Sequence, residues 1–315
     1  MPEGHTLHRL AAQFNEVFVG RDWQVSSPQG RFSAGARRLD GGVPQRAEAW
    51  GKHLFVHLET EIWHVHLGLY GAFSFRGDSE FSAPPSIGAP RAWVEELTPA
   101  YDEAGWLIPE LPRGAVRARV QSRSGWADLR GPTTCAVLEP SEYHTVIARL
   151  GPDPLRHLPK ASDPTPGSKG PGSDDSDAED SDAEDTGSEG SGSERFLHNL
   201  SRRRISIGAA LMDQAVIAGV GNIFRAESLF LEGIDPATPS NALSRVRGEA
   251  LWDRLTEQLR TGVREGLIRT LRAEGDRRHW VYQHQGSACL RCGAQITVRE
   301  LQGRRLYWCP GCQQG

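Results

Sequence analysis

Lysine is almost absent from this chain. There are three, Lys52, Lys160 and Lys169, among 36 basic residues, so nearly all the positive charge is arginine. No apolar run reaches membrane-spanning length, which excludes a transmembrane helix. No basic-then-apolar leader opens the chain, so a cytoplasmic, reducing setting is expected. Cysteine is also scarce. Four of the five cysteines fall within the last 27 residues, and Cys135 stands alone. In a reducing compartment that clustering points to metal and away from a disulfide framework. What the chain does have is 315 residues, 38% hydrophobic content and nine tryptophans, enough for two domains with a substantial core.

The formal net charge of −4 conceals an uneven distribution. Residues 161–194 carry eleven acidic side chains and one basic one, Lys169, which leaves +6 on the remainder. This segment repeats itself at Ser176–Asp180 and Ser181–Asp185 and holds nothing apolar larger than alanine. Burial cannot offset its ordering entropy, so it is expected to be a disordered acidic linker. The mildly basic remainder permits a nucleic-acid partner without requiring one.

The stretch around which the chain is organised is Pro2-Glu3-Gly4-His5-Thr6. Removal of Met1 would expose the secondary amine of Pro2, and an α-amine titrates near pH ~8, so part of it is nucleophilic at neutral pH. An amine attacking an aldehyde-like carbon gives an iminium, a covalent route to elimination, with Glu3 placed to serve as acid or base. On these residues alone a Met-Pro start reads first as a frayed terminus, so other parts of the chain must decide. Leu7, Leu10, Ala11, Phe14, Val17 and Phe18 recur at helical spacing, so a helix follows immediately. Its positive end would hold an anion beside Pro2 and Glu3.

From about Val25 to Leu138 the pattern is that of strands. Trp50–Leu58, Ile62–Leu67, Val116–Gln121 and Thr133–Leu138 predict a β-sandwich or barrel with the first helix on one side. Lys52, in Gly51-Lys52-His53, departs from the chain's preference for arginine. A lysine in an apolar strand is costly unless it faces a cleft or a phosphate, although snorkelling at a strand end is the commoner reason. Leu69 and Tyr70 lie between glycines as at a loop tip, where an apolar side chain can wedge between bases or simply fill a buried corner. His53, His57, His64 and His66 alternate along strands without a carboxylate partner pattern and read as core or surface residues.

Beyond the acidic segment the period becomes helical, with Phe196–Leu200, Ile207–Asp213, a helix to about Leu231, and a longer one striped by Leu243, Val246, Ala250, Leu251, Leu255, Leu259, Val263 and Leu267. Gly219 and Gly221 permit tight turns, and Asn222 is expected to cap the helix that follows, making a phosphate seat. Cys289-x2-Cys292 and Cys309-x2-Cys312, sixteen residues apart, have the spacing of a four-cysteine zinc site. Strands over Gln295–Leu301 and Arg305–Trp308 would meet at Gln302-Gly303, with Arg304 and Arg305 at the hairpin tip. Four thiolates leave no open position, so one structural Zn2+ per chain is expected.

Met1-Pro2-Glu3-Gly4, Gly51-Lys52, Gly151-Pro152-Asp153-Pro154, Ala218-Gly219-Val220-Gly221-Asn222 and Arg304-Arg305-Leu306-Tyr307-Trp308-Cys309-Pro310-Gly311-Cys312 together resemble the formamidopyrimidine-DNA glycosylase and endonuclease VIII family of base-excision repair. The match runs almost end to end, apart from the acidic segment. The resemblance implies an α+β multidomain fold: a β-sandwich catalytic domain (1–158), the acidic linker (159–194), a helix–two-turn–helix domain (195–272) and a zinc-finger hairpin (273–315). It implies a bifunctional glycosylase and AP lyase in which Pro2 attacks the sugar C1′, Glu3 is the acid/base and β- or β,δ-elimination cuts the strand. By the same resemblance Lys52 belongs to the catalytic set and, with Asn222 and Arg304, holds phosphates around the flipped nucleotide. Leu69 would fill the gap left in the stack, with Tyr70 beside it. A monomer acting on damaged DNA in a bacterial cytoplasm, away from membranes, is expected. Two departures stand out. Thr6 occupies a position where many members have a second glutamate, which bears on ring-oxygen protonation and on His5. Asp128-Leu129-Arg130-Gly131 lacks the Arg-x-Phe wedge and Arg272–Gly286 is short, so the chain is closer to the endonuclease VIII branch and to oxidised pyrimidines. The alternatives are a zinc-ribbon protein that binds damaged or abasic DNA without chemistry, and a ribosome-associated helix–turn–helix protein, which leaves Pro2 and Lys52 unexplained.

Overall fold

The computed structural model describes residues 2–88, 97–156, 192–272 and 276–314. The first half contains α1 (Gly4–Val17), β1 (Gln24–Ser26), α2 (Ser33–Leu39), β2 (Arg46–Trp50), β3 (His53–His57), β4 (Ile62–His66), β5 (Ala72–Gly77), β6 (Ser86–Gly88), β7 (Val116–Ser122), β8 (Gly125–Arg130), β9 (Thr134–Leu138) and α3 (Pro140–Ile147). The second half contains α4 (Gly192–Ser201), α5 (Ile207–Ala210), α6 (Asn222–Leu231), α7 (Arg245–Glu265), β10 (Thr297–Leu301) and β11 (Arg304–Trp308). Among the described residues no helix is long and apolar enough to cross a membrane.

The strands of the first half form two antiparallel sheets, ordered β2-β3-β4-β9 and β1-β7-β8-β5-β6, and this is the expected sandwich. Alternation along each strand supplies the core: Leu54 and Val56 of β3 and Trp63 and Val65 of β4 face Phe73 and Phe75 of β5 and Ala127 and Leu129 of β8. Phe14 of α1 meets Trp63 of one sheet and Phe73 of the other edge-on, at ring separations of 6.0 and 5.2 Å. The first helix therefore plugs the sandwich, and this fixes the position of the N-terminus. Lys52 is not in a strand, as its apolar surroundings suggested. The stretch Trp50–Leu58 breaks after Trp50, and Gly51-Lys52 forms a two-residue hairpin turn with Gly51 at φ +58°.

The helical half packs around Phe196, Leu200, Phe224, Leu251, Leu255 and Leu259. α4 begins at Gly192, so the last three residues assigned to the acidic segment are helical, while residues 159–191 lie outside the described residues. The stripe on α7 starts later than its periodicity suggested, because Val246 is 75% exposed. Ser244 caps α7 through the Arg247 amide, and Gly266, at φ +71°, ends it.

β10 and β11 pair across Gln302-Gly303, both at positive φ. This hairpin leans on α6. Phe230 stacks on Trp280 at 5.6 Å, and the Arg291 guanidinium lies 4.6 Å from the Phe230 ring centre. The buried Glu227 carboxylate accepts from the amides of Trp280 (2.7 Å), Val281 (2.9 Å) and Tyr282 (2.8 Å), which fixes where the chain enters the hairpin region.

A short segment locks the two halves together. Gly151 N–H donates to Gln214 O at 2.8 Å, and Ala218 N–H donates to Pro152 O at 3.0 Å. Asp153 accepts from the amides of Gly51 (2.7 Å) and Leu155 (2.8 Å), and His8 lies 2.8 Å away. Burial pushes the Asp153 carboxyl up, but His8 and the two amides outweigh it and hold it below the ordinary 3.8. Asp153→Ala strands these donors, each at about 1–3 kcal/mol, so a loss on the order of 3 kcal/mol is expected in urea unfolding at neutral pH. A depressed pKa stabilises above the unfolded value and is lost as pH falls through the folded one, so the difference between variant and parent should shrink in acid. An unchanged midpoint at neutral pH would show that the clamp is idle.

Candidate active site

α6 starts without a side-chain cap of its own. Its N-cap is Gly221 in extended backbone, and Asn222, expected to be the cap, is instead the first helical residue. The Asn222 side chain is turned toward the hairpin: its Nδ2 donates to Arg305 O at 3.0 Å and its Oδ1 accepts from buried Arg225. The orphan amides of the helix are taken by Glu3. Its Oε2 accepts from Gly221 N–H at 2.9 Å and Phe224 N–H at 3.4 Å, and its Oε1 from Ile223 N–H at 2.9 Å. Glu3, the residue before α1, thus seats its carboxylate at the start of α6, where these amides are already engaged by it.

Glycine makes this approach possible. A Cβ on Gly221 would lie 2.4 Å from the Glu3 carboxyl carbon, and one on Gly4 would lie 2.8 Å from Gly219 Cα. Gly4 N–H donates to Gly219 O at 2.8 Å, and Gly219 takes φ +94°, which a side chain would disfavour. The N-terminus and the α5–α6 loop therefore meet backbone to backbone.

Glu3 is wholly buried. Burial raises its pKa, against the opposing Lys52 charge and the three amides. Lys52 donates to Val220 O at 2.7 Å. Burial lowers it to about 8, with Glu3 acting upward and Arg304 downward. Arg304, an exposed residue at the hairpin tip, also lowers Arg225, where burial is the larger cause. Its charge is thus felt from two sides of the same junction. Pro2 is buried beside Glu3 and lines a cavity of about 520 Å³ with His5, Thr6, Ile223 and Ile268.

The fold therefore collects Pro2, Glu3, Lys52, Asn222 and Arg304 at one junction, from four separate stretches of sequence. Leu69 and Tyr70 stand apart, 43% and 77% exposed on the tip between β4 and β5. The histidines form a polar layer on the outer face of the four-stranded sheet. His53 Nδ1 lies 2.8 Å from His64 Nε2, and His57 lies 2.7 Å from Glu48, a carboxylate partner not evident from the strand pattern.

The four sulfurs of Cys289, Cys292, Cys309 and Cys312 lie within 4.8 Å of one another, with Cys289–Cys312 at 3.8 Å and Cys292–Cys309 at 3.4 Å. These separations exceed a disulfide bond of about 2.05 Å. They match sulfurs about 3.8 Å apart around a tetrahedral ion with bonds near 2.3 Å, so the cluster could hold a metal.

Three organising residues escape sequence reasoning: Asp153, Arg225 and Glu227. Asp153 lies in a motif that did stand out, Gly151–Pro154, but its partners Gly51 and His8 are more than a hundred residues away. Arg225 and Glu227 look like ordinary polar positions of a helix and carry no distinguishing spacing.

The comparisons with known proteins agree with this geometry. The family model for the formamidopyrimidine-DNA glycosylase N-terminal domain matches residues 1–99, and that for the formamidopyrimidine-DNA glycosylase H2TH domain matches residues 183–272. "Endonuclease 8 1" of Mycobacterium tuberculosis is 40% identical over 324 residues, covering 99% of this chain and 100% of the relative. A formamidopyrimidine-DNA glycosylase of Parasynechococcus marenigrum is 29% identical over 336 residues, covering 99% of each. Lactococcus lactis Fpg, solved in complex with DNA containing an abasic site, superposes with a TM-score of 0.66 at 19% identity, covering 99% of this chain and 100% of that one. By its sequence over its whole length, the chain belongs to the formamidopyrimidine-DNA glycosylase and endonuclease VIII family.

Proposed function

We propose that the chain is a DNA glycosylase and AP lyase of base-excision repair that uses Pro2 as nucleophile and Glu3 as proton donor and acceptor. The observation that carries this is Glu3: a dry carboxyl of raised pKa, fixed by three amides and joined to Pro2, which lines a cavity. A raised pKa makes a carboxyl a readier holder of a proton, as a general acid requires. With Met1 removed, the Pro2 nitrogen attacks C1′ of the extruded nucleotide, the N-glycosidic bond breaks, and the base departs with a proton. Ring opening gives an iminium between Pro2 and C1′. The iminium acidifies C2′–H, and loss of that proton expels the 3′-phosphate. A second elimination releases the 5′ side.

Lys52 and Arg304 supply phosphate contacts from two sides. Asn222 reaches the same phosphates if its amide exchanges Arg305 O for DNA. Leu69, on its exposed tip, fills the stack. The Leu69-Tyr70-Gly71 tip, and the absence of an Arg-x-Phe wedge at Asp128-Leu129-Arg130-Gly131, favour oxidised pyrimidines. Zn2+ fits the four cysteines and would act structurally, holding the hairpin that carries Arg304. Acting on DNA, the monomer would work in the cytoplasm, at the nucleoid. The acidic segment would be a spacer between the halves.

Glu3→Gln keeps the side-chain shape but removes proton transfer, which contributes typically 10²–10⁴-fold, so base excision should fall by roughly that much. Cleavage of a ready-made abasic site should fall less, because no base has to leave. Equal, small losses on both DNAs would mean that Glu3 only holds the junction together. Cys309→Ser removes a zinc ligand, and zinc contributes on the order of 10 kcal/mol to isolated fingers. The variant should release its zinc and bind DNA more weakly while the sandwich stays folded by circular dichroism. A parent protein that contains no zinc would refute this assignment.

A further inference from the structure

Arg225 is a wholly buried cation whose hydrogen bonds go to uncharged oxygens. Its Nη1 donates to Gly208 O of α5 at 3.1 Å. Its Nη2 donates to Asn222 Oδ1 and, at 3.4 Å, to Arg305 O of the hairpin. Among the described residues its Nε has no partner. Burial lowers its pKa to about 10, with Arg304 adding to the effect and Glu3 opposing it, so the charge persists at neutral pH. A buried cation bonded to no carboxylate is costly, and an apolar side chain of similar volume would fill the space at lower cost. The scheme above gives it no task.

Its chemistry fixes the Asn222 amide. A guanidinium only donates, whereas an amide accepts at oxygen and donates at nitrogen. Oδ1 must therefore turn to Arg225, which directs Nδ2 the other way, where it donates to Arg305 O at 3.0 Å. The amide also bonds the Tyr282 side chain. Flipped, it would set nitrogen against guanidinium and oxygen against Arg305 O, two repulsions in place of two bonds. Phosphate oxygens take hydrogen bonds from such side chains, so DNA needs the same nitrogen that Arg305 O now holds. Once DNA takes it, Arg305 O loses its shorter bond, and a carbonyl left unpaired under a seated strand is costly. The donor that remains is Arg225 Nη2.

We propose that Arg225 is a positioning residue for DNA binding: it keeps the amide nitrogen of Asn222 available to a phosphate and keeps Arg305 O bonded when the phosphate claims that nitrogen. This rests on the glycosylase reading above, because only there does Asn222 meet DNA.

The test measures binding to a duplex carrying a non-cleavable abasic analogue by the parent, Arg225→Met, Asn222→Ala and the double variant. Loss of a hydrogen bond to a charged acceptor should weaken each single variant about tenfold or more. Because Arg225 acts through Asn222, the double variant should bind within about twofold of the weaker single one. Losses that multiply overturn the proposal, as does either single variant binding like the parent. If Arg225 merely held the hairpin in place, Arg225→Met would mask Arg304→Ala to the same degree. On the proposal the losses of that second pair multiply, and masking there overturns it. Arg225→Lys keeps the buried charge but lacks the guanidinium fork, so it should show the same coupling to Asn222→Ala even if the methionine variant does not fold. A parent that binds the abasic duplex no tighter than undamaged duplex would instead refute the glycosylase reading itself.

Discussion

Burying a carboxylate costs several kcal/mol unless its lone pairs are used, and Glu3 meets that condition with backbone 218 to 221 residues further along the chain. The amides of Gly221, Ile223 and Phe224 are the orphans that any helix leaves at its start, and the helix dipole adds to their pull. Two unsatisfied groups thus cancel: α6 lacks a cap, and Glu3 lacks solvent. Glu3 can be held in this way only if the N-terminus threads between the sandwich and the helical half. The position of Pro2 is therefore a consequence of how Glu3 is satisfied.

The remaining geometry follows from bringing backbones that close together. Gly4, Gly51 and Gly221 leave no room for side chains, Gly219 takes a left-handed backbone at φ +94°, and Asp153 ties the Gly51-Lys52 turn to the N-terminal helix. Lys52 then reaches Val220 O, on the same loop that feeds Glu3. At the far side of α6, Arg225 and Asn222 bond the hairpin backbone, and Glu227 fixes its root. One ten-residue helix thus registers the Glu3 carboxylate at its start and the arginine-bearing hairpin along its length.

Much of this was legible in the sequence where chemistry is local. The helix after Glu3, the alternating strands, and the cysteine spacing each depend on periodicity or pairing over a few residues. The roles of Lys52 and Asn222 were harder to see. Lys52 stands out by composition, but periodicity put it in a strand, because a two-residue turn between two apolar strands leaves no gap in the pattern. Asn222 has the composition of a cap, and the cap comes instead from the other end of the chain. Arg225, Glu227 and Asp153 act through backbone partners distant in sequence, and side-chain spacing carries no information about those.

On the function proposed above, the junction presents the Pro2 amine, and not Lys52, to the sugar. Lys52 is the natural competitor, since burial lowers it to about 8 and a neutral amine is nucleophilic. Borohydride reduction during reaction with abasic DNA fixes the enzyme to the sugar, because hydride addition converts the iminium to a stable amine. Peptide mapping of the adduct should place it on Pro2. An adduct on Lys52 would contradict the account.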